Sequence, residues 1–141
     1  MNKRILGLDI GSKRSGAAIT DDLRITVQPL KSWEKRGYKD DLKNIKEILD
    51  EYDLEVIVVG NPLNMDGSIG EQSKKYQELS KKLERDLPGL KIVLHDERLS
   101  SIEADEVMSN IKTNRKRRKE LRDQIAAQII LSDWLKSDGA C

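Results

Sequence analysis

Apolar residues change their spacing along this chain in a way that names its elements. Ile5 to Asp9 and Gly16 to Thr20 are apolar or small-residue runs around Gly-Ser-Lys-Arg-Ser, and they read as two strands joined by a tight turn. Ile25 to Trp33 alternates loosely and reads as a third strand. Its Pro29 cannot donate to a ladder, which puts that strand at an edge. The period then becomes helical. Leu42, Ile45, Ile48, Leu49 and Tyr52 predict a helix from about Tyr38 to Tyr52. Glu55 to Gly60, EVIVVG, is a short β-branched run and reads as a buried strand, followed by a loop, GNPLNMDGS. Ser68 and Glu71 have capping-box spacing and open a second helix with the stripe Ile69, Tyr76, Leu79, Leu83 and Leu87, stopped by Pro88-Gly89. Lys91 to His95 is the fifth strand. Ser100 and Glu103 repeat the capping-box spacing before a helix with Ala104, Val107, Met108 and Ile111 on one side. A basic segment, KTNRKRRKELR, leads into a last helix that ends near Leu135.

The order is therefore βββαβαβαα. Helical crossovers make strands four and five parallel to each other and to strand one. The expected fold is α/β: a mixed five-stranded sheet, three strands of antiparallel meander plus two parallel strands, flanked by helices. A chain of 141 residues suits one domain, residues 1–141, without staples.

Composition narrows the setting. Charged residues make up 36% and apolar residues 37%, and Phe is absent, so Ile, Leu and Val must build a modest core. The net charge is only +1, so any nucleic-acid surface must be local rather than global. Cys141 is the sole cysteine, which excludes an internal disulfide and a thiolate metal site. The N-terminal MNKRILGLDIG lacks the apolar core of a signal peptide, and no apolar window has membrane-spanning length. A soluble, cytoplasmic protein is the expectation.

Against that background one charge stands out. Asp9 sits at the carboxyl end of the most hydrophobic strand, the edge at which open α/β sheets bind ligands. The loop after strand four and Asp96-Glu97-Arg98 after strand five leave from the same edge, so Glu97 can meet Asp9 there. On the last helix, Gln124, Gln128 and Ser132 form a polar stripe. Asp123 points away from it, on the side of Ala127, Ile130 and Trp134. A charge on a packed face is costly unless a cation pairs with it. Three carboxylates with no thiolate suit a hard cation, Mg²⁺ or Mn²⁺, and clusters of this kind commonly hold two metals that activate water and stabilise the leaving oxygen of a phosphodiester. Each acid also has a plain reading: Asp9 as a turn former, Glu97 as an ion-pair partner, Asp123 as a helix-dipole group.

Lys112 to Arg122 carries seven Lys or Arg and one acid, a local charge of +6. Arg115, Lys116, Arg117 and Arg118 read as a phosphate grip abutting Asp123, against the alternative of a solvated basic loop. Lys13 and Arg14 lie in the turn after Asp9 and are further phosphate candidates, with ordinary hairpin charge as the alternative. Arg98 either orients Glu97 or binds phosphate. His95 reads as a strand-end packing residue rather than a ligand. Trp33 and Trp134 read as core, although Trp33 is a conceivable stacking platform.

These motifs carry a family resemblance. ILGLDIGSKRSGAAITD, VVGNPLNMDGSIGEQ, VLHDERLSSIEA and DQIAAQIILSDWL resemble, in order and from Arg4 to Leu135, the signatures of the bacterial YqgF/RuvX family. The resemblance implies a ribonuclease H-like fold and a metal-dependent nuclease, named in that family for processing precursor 16S rRNA and formerly as a Holliday junction resolvase. It implies that Asp9, Glu97 and Asp123 are the catalytic, metal-binding acids. Leu99-Ser100-Ser101 stands where the family usually has Leu-Thr-Thr, a change that keeps the hydroxyls.

Four readings follow. A nuclease trims the 5′ end of precursor rRNA, as a monomer or weak homodimer. A junction resolvase acts on branched DNA, and needs two sites in a symmetric dimer. A nucleic-acid-binding ribosome-assembly factor uses its acids structurally. An actin-like or sugar-kinase ATPase, suggested by LGLDIGS, would need a second such domain that 141 residues do not supply.

Overall fold

The computed structural model describes residues 3–62, 71–97 and 100–139. Its elements follow the expected order: β1 (Arg4–Ile10), β2 (Arg14–Thr20), β3 (Val27–Glu34), α1 (Tyr38–Glu51), β4 (Leu54–Pro62), α2 (Glu71–Asp86), β5 (Lys91–Glu97), α3 (Ser100–Met108) and α4 (Arg115–Trp134), with a π-helical turn at Leu135–Gly139. The five strands lie in the order β3-β2-β1-β4-β5. β1, β2 and β3 pair antiparallel, and β1-β4 and β4-β5 pair parallel. Pro29 is on the edge strand, as its missing N–H requires, beside a bulge between Ala17 and Ala18.

β1 is central, so both its faces are covered, and that explains its unbroken apolar run. Leu6, Leu8 and Ile10 pack with Ile45, Ile48, Leu83 and Leu87 of the α1 and α2 layer. Ile5 packs on the other face with Val56, Val58, Ile130, Leu131 and Trp134. Strand alternation puts Gly7 and Asp9 on that same α4 face. Glycine lets α4 come close: a Cβ on Gly7 would lie 2.6 Å from Leu131 Cβ, and one on Gly16 would lie 2.1 Å from the Asp123 carbonyl oxygen. Trp33 and Trp134 are both buried in the core. Among the described residues, no helix is long and apolar enough to cross a membrane.

Several boundaries differ from the sequence reading, each for a tertiary reason. β3 begins at Val27 rather than Ile25, because the Asp21 carboxylate accepts from the Ile25 and Thr26 amides and holds a turn, with Arg24 at φ 58°. β5 runs on to Glu97, so Asp96 and Glu97 are strand residues paired with Asn61 and Pro62 rather than a departing loop. The basic segment is helical from Arg115 onward, opened by Asn114, whose side chain accepts from the Arg117 amide. On α3, Ala104 and Met108 are buried, but Val107 is 47% exposed and leaves the expected stripe. The Ser68 cap and Ile69 lie outside the described residues, as does all of the loop after β4 beyond Pro62.

Candidate active site

Asp9 is the last but one residue of β1, half-buried, and directly opposite Gly16 of β2. Asp123 belongs to the buried face of α4, with Ala126, Ala127, Ile130, Leu131 and Trp134, as stepping round the helix predicts. Its backbone rests on Gly16. The two acids, from opposite ends of the chain, thus flank one glycine at the carboxyl edge of the sheet. A side chain at Gly16 would push α4 away and separate them.

Burial sets the electrostatics. Removal from water pushes the Asp123 carboxyl above its ordinary value of 3.8, opposed by the Arg14 hydrogen bond and charge and then by the charge of Arg122. Arg14 Nε donates to Asp123 Oδ2 at 2.7 Å, and its Nη1 donates to Glu34 Oε1 at 3.1 Å. Arg122 Nε donates to Asp105 Oδ1 of α3 at 2.6 Å. That bond chiefly raises the Arg122 pKa, and the negative charges of Asp9 and Asp123 add to the rise, so Arg122 stands within electrostatic reach of both acids. The cation that meets Asp123 directly is therefore a protein side chain. Arg122 was not singled out from the sequence; its place directly before Asp123 in a buried helix turn was the available signal.

Glu97 closes β5 with its backbone opposite Pro62. Asp9 is level with Gly60 and His95, so Glu97 lies two strands across and two residues further out, roughly 12 Å away at the backbone. The Glu97 side chain and the whole of Arg98 lie outside the described residues. His95 Nε2 lies 2.7 Å from Asp133 Oδ2, linking β5 to α4. Asn61 Nδ2 donates to Asp96 Oδ1 at 2.8 Å, which ties the ends of β4 and β5 together. The Tyr76 hydroxyl donates to the carbonyl of Ile10, next to Asp9.

The basic run divides. Arg115 and Lys116 are exposed on the first turn of α4, and Arg117 is exposed beside Glu120 at 3.4 Å. Arg118 turns inward and donates to the carbonyls of Met108 at 2.9 Å and Ile111 at 2.6 Å, satisfying the end of α3. Arg14 and Arg118, expected at phosphates, thus donate to protein acceptors here. Lys13 is exposed in the turn, its carbonyl accepting from the Lys35 amide at 3.0 Å.

Among the described residues, no three His, Cys, Asp or Glu side chains converge on one point. Two carboxylates do share the Gly16 edge. A hard divalent cation fits that donor set, because Mg²⁺ takes one or two carboxylates and completes its shell with water and substrate phosphate.

Comparison with known proteins bears on the family and the fold. A family model described as "RuvX: Holliday junction resolvase" matches residues 3–137. A relative from Lachnospira eligens, named "Putative pre-16S rRNA nuclease", is 43% identical over 137 residues, which is 95% of this chain and 97% of that one. One of the same name from a Geobacillus strain is 40% identical over 95% of this chain and 98% of its own. The fowlpox virus resolvase, solved with substrate Holliday junction DNA, superposes with a TM-score of 0.56 at 16% identity, covering 95% of this chain and 97% of that one. Thermus thermophilus RuvC, also solved with a Holliday junction substrate, gives 0.51 at 12% identity, covering 98% of each. At those identities the likeness is one of fold, and the fold is the ribonuclease H-like one.

Proposed function

The chain belongs to the RuvX family, and on that footing we propose that it is a divalent-metal-dependent nuclease that hydrolyses phosphodiester bonds at the 5′ end of precursor 16S rRNA. The observation that carries this reading is the placement of Asp9 and Asp123 on either side of Gly16 at the carboxyl edge of the sheet, where such sheets bind ligands. The name shared by its relatives supports the substrate.

Asp9 and Asp123 are the residues that would hold Mg²⁺ or Mn²⁺, with Glu97 as the third carboxylate. A bound divalent ion supplies an activated water and charge stabilisation at the phosphodiester. Asp123 offers its oxygen from a desolvated helix face, where an ionic contact is stronger than in water. Arg115, Lys116, Arg117 and Lys13 are exposed cations for the nucleic-acid backbone, and Arg98 belongs to the same grip. Arg122 limits the repulsion between the two acids. The enzyme acts in the cytoplasm on rRNA precursors, as a monomer or weak homodimer, and residues 1–141 form one nuclease domain.

A second reading, cleavage of four-way DNA junctions, is favoured by the description of the family model. One experiment separates the two: a 5′-extended 16S precursor fragment and a four-way DNA junction incubated side by side with Mg²⁺ or Mn²⁺. The precursor is expected to be trimmed and the junction left whole. Activity should vanish with chelator and fall on the order of 10³-fold in Asp9→Asn and in Asp123→Asn, as when a preorganised charge is removed from an active site. Cleavage of the junction alone would establish the second reading. Binding without cleavage under every divalent metal would reduce the protein to an assembly factor.

A further inference from the structure

We propose that Arg14 is a positioning residue for Asp123 and does not contact phosphate; the inference rests on the nuclease reading above. Arg14 holds Oδ2 of Asp123 and leaves Oδ1, which no donor reaches among the described residues, as the oxygen for a cation shared with Asp9.

The guanidinium is fixed at two points. Nε donates to Asp123 at 2.7 Å and Nη1 donates to Glu34 at 3.1 Å, so its plane is set by two carboxylates from different elements. One positive charge between two negative ones leaves no surplus charge for a phosphate. The backbone beneath it is held as well. Gly11 N–H donates to the Arg14 carbonyl at 2.9 Å and closes the turn. The next residue, Ser15, points to the opposite face of β2, where its hydroxyl donates to buried Asp41 at 2.8 Å. The residue after that, Gly16, carries the Asp123 backbone. Three consecutive residues therefore do one job: Ser15 anchors the strand from below, Gly16 sets the height of α4, and Arg14 orients the acid that α4 brings. Lysine would not replace this fork, because an ammonium on a flexible stem has no fixed plane.

The test measures Mn²⁺ binding to the intact protein by calorimetry without nucleic acid, and separately the binding of a single-stranded RNA in chelator. Arg14→Gln should weaken Mn²⁺ binding by about 10–100-fold, the usual cost of removing a partner that orients a metal ligand. RNA affinity and its salt dependence should stay at the wild-type level. Arg14→Lys, which keeps the charge, should weaken Mn²⁺ binding by a smaller factor, and circular dichroism checks that each variant is folded. Wild-type Mn²⁺ affinity in Arg14→Gln overturns the proposal, and so does a loss of RNA affinity with a salt slope shallower by about 0.7, the mark of one lost phosphate contact on a single strand. Should Arg14→Gln not fold, full Mn²⁺ affinity in Arg14→Lys overturns it instead. A wild-type protein that binds no Mn²⁺ overturns the metal-dependent reading together with this one, whereas wild-type binding left unaltered by Arg14→Gln overturns this one alone.

Discussion

Asp41 and Asp123 are buried on opposite faces of the same sheet edge, 1% and 7% exposed. Asp41, in the first turn of α1, is surrounded by donors. Ser15 Oγ and Trp33 Nε1 both donate to its Oδ1, at 2.8 and 2.9 Å, and Lys35 Nζ donates to its Oδ2. The Lys35 side chain is itself only 8% exposed. Asp123 has Arg14 on one oxygen, and burial raises its pKa despite that partner. The contrast separates two uses of a buried charge. A carboxylate met on both oxygens ties strands to a helix and has nothing left to bind. One met on a single oxygen, at the edge where the parallel strands end, keeps capacity for a cation.

Three substitutions, in falling order of effect, break or sharpen that contrast. Asp41→Ala strands an ammonium, a hydroxyl and an indole N–H, and should cost about 3–5 kcal/mol in urea unfolding, the range for a buried pair deprived of one partner. A loss below about 1 kcal/mol would show that Asp41 is no more structural than Asp123.

Asp123→Asn should behave in the opposite sense. The folded-state pKa of Asp123 lies above its unfolded value, so its contribution to stability is fully present below 3.8 and is lost as pH rises through the folded pKa. In chelator near neutral pH the variant should therefore melt at or above the wild-type temperature, and that advantage should disappear below about pH 4. A variant that is less stable than wild type at neutral pH would mean that the Arg14 pair outweighs the burial cost.

Asp86, partly buried, supplies the more accessible end of the scale. Hydrogen bonds from Arg85 and then Tyr38 pull its pKa down to about 2. A depressed carboxylate lends stability above its unfolded value of 3.8 and loses it as pH falls toward about 2. Thermal unfolding of wild type across that window should show a small decline that Asp86→Asn lacks. Equal pH profiles would make the Tyr38–Asp86 link between α1 and α2 idle.

Much of this could be read in advance, where one period dominates. The meander, the edge position of Pro29, the helical crossovers and the element order all follow from local alternation and turn chemistry. The face of α4 that carries Asp123 followed from counting residues per turn. Other features have no local mark. Asp41 looks like an ordinary acid favouring a helix start, beside Asp40, and only the packing of Trp33 and Ser15 against it reveals its burial. Arg118 looks like its neighbours in the basic run, yet its helical phase turns it onto the carbonyls that end α3. The extension of β5 to Glu97 depends on a ladder with Asn61 and Pro62, a pairing that no window of sequence contains.

By itself the amino-acid order determined which segments become strands and helices, and that Asp123 lies on the covered face of α4, because those depend on periods of two and about 3.6 residues. Only the tertiary structure decided who meets whom. Asp9 and Asp123 share an edge because Gly16 has no side chain to keep α4 away, and Arg14 rather than a more basic stretch of the chain holds Asp123. Such contacts join residues far apart in the chain, so they are set by how layers stack and not by how neighbours are spaced.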